Sequence, residues 1–118
     1  RLIVGGDTIF SKIIKKEIPA DIVFESEEIL AFKDINPIAP IHILIIPKKE
    51  FKSLAEVSDG EALLLGKCLI VAKNIAKELG VADSGYRVVT NIGENASQSV
   101  FHLHFHLIAG REFKWPPG

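Results

Sequence analysis

Phe101-His102-Leu103-His104-Phe105-His106-Leu107-Ile108 places three of the chain's four histidines on alternate residues. Side chains along an extended backbone change face at every residue, so the run predicts a strand with all three imidazoles on one face. Phe101, Leu103, Phe105 and Leu107 fall on the other face, where a core can cover them. A helix fits badly, because at about 100° per residue three positions two apart spread around the cylinder. The run therefore calls for a sheet with one packed face and one chemical face. Imidazole titrates near neutral pH, serves as a nucleophile and binds metals, and packing alone gives no reason to gather it on one strand. A solvated strand face would draw on Lys, Glu or Thr.

A chain of 118 residues with 47% hydrophobic content fits one domain with a single core. Its formal charge of −1 argues against capture of long nucleic acids or anionic membranes. The lysine pairs Lys15-Lys16 and Lys48-Lys49 read as solvated surface. One cysteine, Cys68, excludes an internal disulfide and points to a reducing intracellular setting, most simply the cytoplasm, with nucleus or organelle left open. Its apolar helical neighbours make it a core residue rather than a reactive one. No apolar stretch is long enough to span a membrane. The chain opens at Arg1 rather than Met, so residues 1–6 are expected to be a trimmed or disordered tail ahead of one domain over 7–118.

The order of elements predicts an α+β fold, a five-stranded antiparallel sheet with one short and one long helix. Asp7 can cap a short helix whose apolar face is Ile9, Phe10, Ile13 and Ile14, ended before Pro19. Strands are expected over 22–24, 29–32, 42–46, 86–90 and 100–109, with Pro37 and Pro40 holding the loop before the third strand extended. Several connections are short, as antiparallel pairing requires. Ser58-Asp59-Gly60-Glu61 has capping-box spacing and should open a long helix that Gly80 closes. The apolar positions of that helix are Leu64, Leu65, Cys68, Leu69, Val71, Ala72, Ile75, Ala76 and Leu79, a wider stripe than one core needs. Leu63 and Ile70 sit a heptad apart among polar residues, with Gly66 nearby. They are either stray exposed aliphatics or a self-complementary dimer seam.

Asn91-Ile92-Gly93-Glu94-Asn95-Ala96-Ser97-Gln98-Ser99 precedes the histidines and is mostly small and polar. Such a loop can turn backbone N–H groups toward one anion. Set directly before three aligned imidazoles, it suggests a phosphate held where a histidine can attack it.

At these residues the chain resembles the histidine triad superfamily, whose signature is His-x-His-x-His-x-x with x apolar. The resemblance continues through Asp7-Thr8-Ile9-Phe10, Lys16-Glu17-Ile18-Pro19-Ala20, Phe32-Lys33-Asp34-Ile35, Ala39-Pro40-Ile41-His42 and Ile46-Pro47-Lys48-Lys49. The terminal Trp115-Pro116-Pro117-Gly118 resembles the nucleotide-binding (Hint) branch. The resemblance implies a homodimer, its sheet continuous across two chains, that hydrolyses purine nucleoside phosphoramidates and binds AMP or GMP without a cofactor. His104 would be the nucleophile. His102, His106 and His42 would orient it and handle protons, and Ser99 would contact the departing amine. Asp34 would bind the ribose hydroxyls. Phe10, Ile13, Ile18, Phe32 and Ile35 would line the purine pocket, with Asn91, Ser97 and Gln98 near ribose and phosphate. Trp115, in a tail over 111–118, would reach toward the partner's site.

Physical chemistry supports these roles. An attacking imidazole must be neutral, whereas a neighbour that donates to a leaving group is best protonated. Four imidazoles packed together are costly to charge at once, so their titrations should be coupled. Alternatives remain open. Asp34, ahead of Ile-Asn-Pro, also suits a turn, and Trp115 could cover its own sheet. Alternate histidines could hold zinc, although their strand offers nitrogen ligands only. A nucleotide-binding scaffold with incidental catalysis would carry the same residues. Ala96-Ser97 stands where the family often has Gly-Gly, and Lys33 where some relatives have histidine. Both departures touch phosphate approach and base preference rather than the chemistry.

Overall fold

The computed structural model describes residues 8–118; the expected tail and the expected cap Asp7 lie outside the described residues. The elements are α1 (Ile9–Ile14), β1 (Ile22–Glu25), β2 (Ile29–Lys33), β3 (Ile41–Pro47), α2 (Ala62–Glu78), β4 (Tyr86–Val89) and β5 (Phe105–Ala109). One five-stranded sheet in the order β1-β2-β3-β5-β4, antiparallel throughout, bears out the α+β expectation.

The sheet is covered unequally. On one face α2, 17 residues and so about 26 Å long, lays Leu64, Cys68, Val71, Ala72, Ile75 and Ala76 over Ile29, Ala31, Ile43, Ile45, Phe105 and Leu107. On the other face six-residue α1 contributes Phe10 and Ile13 against Leu30, Phe32, Leu44 and Ile46. On this face the residues around α1 are buried, and His106 is the one histidine left half-buried. Cys68 is fully buried and its thiol is pushed up to about 11 by burial, which agrees with its reading as a core residue.

Local chemistry corrects several expectations. Thr8 is the cap of α1, its hydroxyl accepting from Ser11 N–H at 3.2 Å. The Ser58 side chain makes no capping bond; residues 59–61 wind into a 3₁₀ turn and α2 starts at Ala62. Glu61, expected to reach back to the cap, is instead bonded to Lys49. Leu69 and Leu79, part of an apolar stripe wider than one core needs, are 49% and 45% exposed. The last strand begins at Phe105, not at residue 100, and Phe101, expected in the core, is 58% exposed. The registers end at Phe105 opposite Ile45 and His106 opposite Val89, although β3 itself continues to Pro47. Residues 102–104 nevertheless keep the alternation. Leu103 joins the α2-side core, while His102 and His104 lie against Phe10 of α1.

Gly110 ends β5 at φ +95°, and a Cβ built there would stand 2.8 Å from Pro40 Cβ. Gly80, at φ +77° after α2, has nothing within 4 Å of its would-be Cβ. Gly80→Ala should therefore cost about 1 kcal/mol of unfolding free energy from backbone strain alone. Gly110→Ala should cost about 2–4 kcal/mol, because strain and the clash with a rigid ring add. Urea unfolding of both variants checks the difference.

Candidate active site

Pairing of β3 with β5 builds the centre. His42 lies opposite Ile108 and Leu44 opposite His106, so His42 and His106 are diagonal neighbours on one face. Their rings are 5.2 Å apart, and His42 Nε2 is 2.9 Å from His106 Nδ1. The His104 ring follows at 4.9 Å from His106 and stacks edge-on against Phe10 at 5.0 Å. His42, His102 and His104 are buried, and His106 is half-buried.

The backbone dictates which nitrogen of each ring carries its proton. A carbonyl only accepts, so His104 Nδ1, 2.7 Å from the His102 carbonyl, is the donor there. In the neutral ring Nε2 is then an unprotonated lone pair. By the same logic His102 Nε2 donates to the Pro47 carbonyl at 2.9 Å. His102 Nδ1 is buried and meets no donor among the described residues. His42 works in the opposite sense: its Nδ1 accepts the Ile38 N–H at 3.2 Å, so its proton sits on Nε2 and is donated to His106 Nδ1. That leaves the proton of neutral His106 on Nε2.

Burial lowers the pKa of all four rings. For His106 burial comes first, followed by the nearby His104 and His42, and together they push it down to about 4. His104 and His102 are lowered chiefly by burial, against the backbone carbonyls that stabilise their charged forms. His42 is also lowered by burial, opposed by the Asp34 carboxylate 3.4 Å from its Nε2. The four imidazoles are therefore neutral at pH 7.

The remaining candidates fall into distinct groups. Asp34 serves the turn with Oδ1, which accepts the Asn36 N–H at 2.8 Å, while Oδ2 faces His42. Phe10, Ile13 and Phe32 are packed into a wall beside the histidines, Ile18 is half-buried at its margin, and Ile35 is 89% exposed. Gln98 is committed to the loop: its amide nitrogen donates to the carbonyls of Lys52 and Val100, and its oxygen accepts the Gly93 N–H. The N–H groups of Gly93, Ser97 and Gln98 are thus bonded within the loop. Ser97 holds φ +62°, so one of the two positions where glycine is common does adopt a left-handed backbone. Ala96 belongs to a 3₁₀ turn; Ser97 and Ser99 are exposed and Asn91 is half-buried. Trp115 does not cover its own sheet but is 81% exposed. What sequence reasoning missed is mostly backbone: the Ile38 amide and the carbonyls of His102 and Pro47, groups every residue carries.

The fold and the site together define a HIT-type protein. The HIT domain model matches residues 15–113, and the chain belongs to the HIT family. It is 53% identical over 115 residues to an uncharacterized HIT-like protein of Synechocystis, covering 98% of this chain and all of the relative. It is 55% identical over 120 residues to a 14 kDa zinc-binding protein of Zea mays, covering 100% of this chain and 93% of the relative. Among solved structures, a HIT family hydrolase from Legionella pneumophila superposes with TM-score 0.93 at 47% identity, covering 95% of this chain and 100% of that one. A histidine triad nucleotide-binding protein from Candida albicans superposes at 0.82 with 38% identity, covering 93% and 83%.

The maize relative's name makes a metal worth testing on geometry. Sequence reading offered only nitrogen ligands, but the fold adds Asp34: ligand atoms of Asp34, His42 and His106 lie within 4.8 Å of one another. The donor set still does not fit a zinc ion. His42 Nδ1 already uses its lone pair on Ile38, so Nε2 could bind metal only as an imidazolate or after that bond broke. The 2.9 Å between His42 and His106 is a hydrogen-bond distance, shorter than about 3.3 Å between two nitrogens on a tetrahedral metal.

Because the folded rings resist protonation, the unfolded chain takes up protons first as pH falls below the ordinary histidine value of 6.5. Their contribution to stability is fully present above 6.5 and is lost as pH falls toward about 4, where folded His106 titrates. The urea midpoint should drop between pH 7 and pH 5, and His106→Gln should flatten that drop. Denaturation curves of both proteins at the two pH values check the sign.

Proposed function

We propose that this protein is a purine nucleoside phosphoramidase, hydrolysing the P–N bond of adenosine or guanosine 5′-phosphoramidates and related nucleotidyl conjugates. The observation that carries the reading is the His104 Nδ1 bond to the His102 carbonyl, which directs an unprotonated Nε2 away from the backbone of a neutral ring. The names of the Legionella hydrolase and the Candida nucleotide-binding protein support the same class.

His104 Nε2 attacks the α-phosphorus, forming an N–P bond as the bond to the leaving amine breaks. The His104 ring becomes cationic, and its Nδ1–H bond to the His102 carbonyl stabilises that charge. The leaving amine needs a proton, and neither ring of the His42–His106 pair has a free nitrogen to take up an extra one, because His42 Nδ1 accepts from Ile38 and His106 Nδ1 accepts from His42. The phosphoramidate nitrogen takes its proton from solvent, and the Nε2–H of neutral His106 donates a hydrogen bond to it as it departs. Water then attacks phosphorus, gives up a proton to solvent and releases the nucleoside monophosphate, leaving His104 neutral. Covalent catalysis thereby splits one hard displacement into two easier ones.

Around this chemistry, Phe10, Ile13, Ile18, Phe32 and Ile35 accept the purine, and the second lone pairs of Asp34 accept the ribose hydroxyls. Asn91, Ser97, Gln98 and Ser99 flank ribose, phosphate and departing amine. The same reading includes a homodimer. Leu63, 73% exposed, and Ile70, 51% exposed, flank an open Gly66 on α2, and β4 is an edge strand able to extend the sheet. Trp115, 81% exposed beyond a tail held at Lys114 by Arg87, would act on the partner's substrate in this reading.

Wild-type protein mixed with adenosine 5′-phosphoramidate should release AMP and show a nucleotidyl adduct by intact-mass analysis. His104→Ala should lower kcat by about 10³-fold and abolish the adduct, with AMP affinity changed less than about threefold. Dialysis against a chelator should leave kcat unchanged. Equal turnover in His104→Ala, or AMP binding without turnover in the wild type, would overturn the reading.

A further inference from the structure

The direction in which His42 passes its proton is set by one backbone amide on a thinly supported loop. Ile38 N–H occupies His42 Nδ1 and so keeps the ring proton on Nε2, facing His106. The Ile38 side chain is 60% exposed and Asn36, Pro37 and Pro40 are exposed around it, so of its near neighbours only Ala39 is held by packing. The start of the loop is fixed by Asp34, whose N–H donates to the His42 carbonyl at 2.9 Å and whose Oδ1 takes the Asn36 N–H. Beyond Asn36 the support comes from the far end of the chain. Arg111 Nε donates to the Ile38 carbonyl at 3.1 Å, gripping the residue whose amide binds His42.

Arg111 is itself held at two further points. Its Nη1 donates to the Glu112 carbonyl at 3.0 Å, and its guanidinium lies 4.4 Å from the Phe113 ring centre. Arg87 on β4 also lies over that ring, at 5.4 Å, and donates to the Lys114 carbonyl at 3.0 Å. A planar guanidinium seated on an aromatic ring loses less freedom on forming each bond than a flexible ammonium would. Gly110, immediately before Arg111, lies against Pro40 of the same loop, so loop and tail meet at adjacent positions.

We propose that Arg111 is a positioning residue for His42, acting through Ile38 to fix which ring nitrogen of His42 carries the proton donated to His106. Its kinetic consequence rests on the phosphoramidase reading; its structural consequence does not. Without the grip on the carbonyl, Ile38 swings, Nδ1 loses its donor and the two neutral tautomers of His42 become comparable. Half of the molecules then present a lone pair instead of a proton to His106 Nδ1, and the pair no longer shares a proton in one sense.

The test is a long-range ¹H–¹⁵N correlation spectrum of ¹⁵N-histidine-labelled protein at pH 7, read beside phosphoramidate kinetics. In the wild type His42 should show an unprotonated-type Nδ1 and a protonated-type Nε2. In Arg111→Ala both resonances should move toward the averaged position of mixed tautomers, with kcat lowered about tenfold and KM little changed. Arg111→Lys, whose ammonium can still donate to the carbonyl, should restore both readouts at least in part. Arg87→Ala loosens the tail at Phe113 and Lys114 but spares the Ile38 contact, and it should leave the His42 resonances where they are. An unshifted His42 in Arg111→Ala overturns the proposal, as does a wild-type His42 protonated on Nδ1. Failure of Arg111→Lys to restore either readout also overturns it, since the arginine would then act by packing on Phe113. A wild type inactive on phosphoramidates would remove the proposed function, while the spectra would still decide the role of Arg111.

Discussion

The register between β3 and β5, from Ile41 opposite Ala109 to Ile45 opposite Phe105, determines where His42 and His106 stand and sets the face on which His104 follows. A slip of one residue would turn His106 toward α2 and Leu107 toward α1, exchanging the packed face for the chemical one. Two unlike cores resist such a slip. Ile43, Ile45, Phe105 and Leu107 must meet α2, while Leu44 and Ile46 must meet Phe10 and Ile13. The apolar pattern of the two strands thus serves the site as much as stability, because it specifies the diagonal that brings His42 within hydrogen-bond reach of His106.

The sheet's face alternation was legible from residues 101–108, and so were all five strands, both helices and the core position of Cys68. Strand pairing was not legible at its ends. Phe101 satisfies the alternation yet lies beyond the last paired position of β5, so it is solvent, not a core, that it meets. That the apolar stripe of α2 is wider than one core was legible, but not which of its residues stay outside, as Leu69 and the C-cap Leu79 do. His42 was named through resemblance, and its position follows from the fold. Its proton does not, because the tautomer depends on the amide of Ile38, a group whose placement no side-chain pattern encodes. Asp34 was left between a turn and a ligand contact. The structure gives it the turn through Oδ1 and a place beside His42 through Oδ2, so the two readings never excluded each other.

Unequal coverage of the sheet has its own chemical use. α2 seals one face and supplies most of the apolar burial, which frees the opposite face from carrying the stability of the domain. There α1 does only as much as the histidines need. Phe10 stacks edge-on against His104 and touches His102, which desolvates both rings without closing the face. Without α1 the rings would be solvated and largely charged in mild acid.

Neutrality leaves each ring one proton and one lone pair, so the partners decide which nitrogen holds which. Geometry gives the four rings different partners. His102 and His104 spend their protons on the carbonyls of Pro47 and His102, and neither carbonyl can return one. His42 and His106 are instead bonded to each other, with the Asp34 carboxylate 3.4 Å from the shared edge. The Asp34 carboxylate opposes the burial that keeps this pair neutral, while the closeness of the rings to one another and to His104 adds to it. Four residues of one type thus differ in where their protons sit, and what separates them is whether a ring nitrogen meets a carbonyl oxygen, a backbone amide or another imidazole.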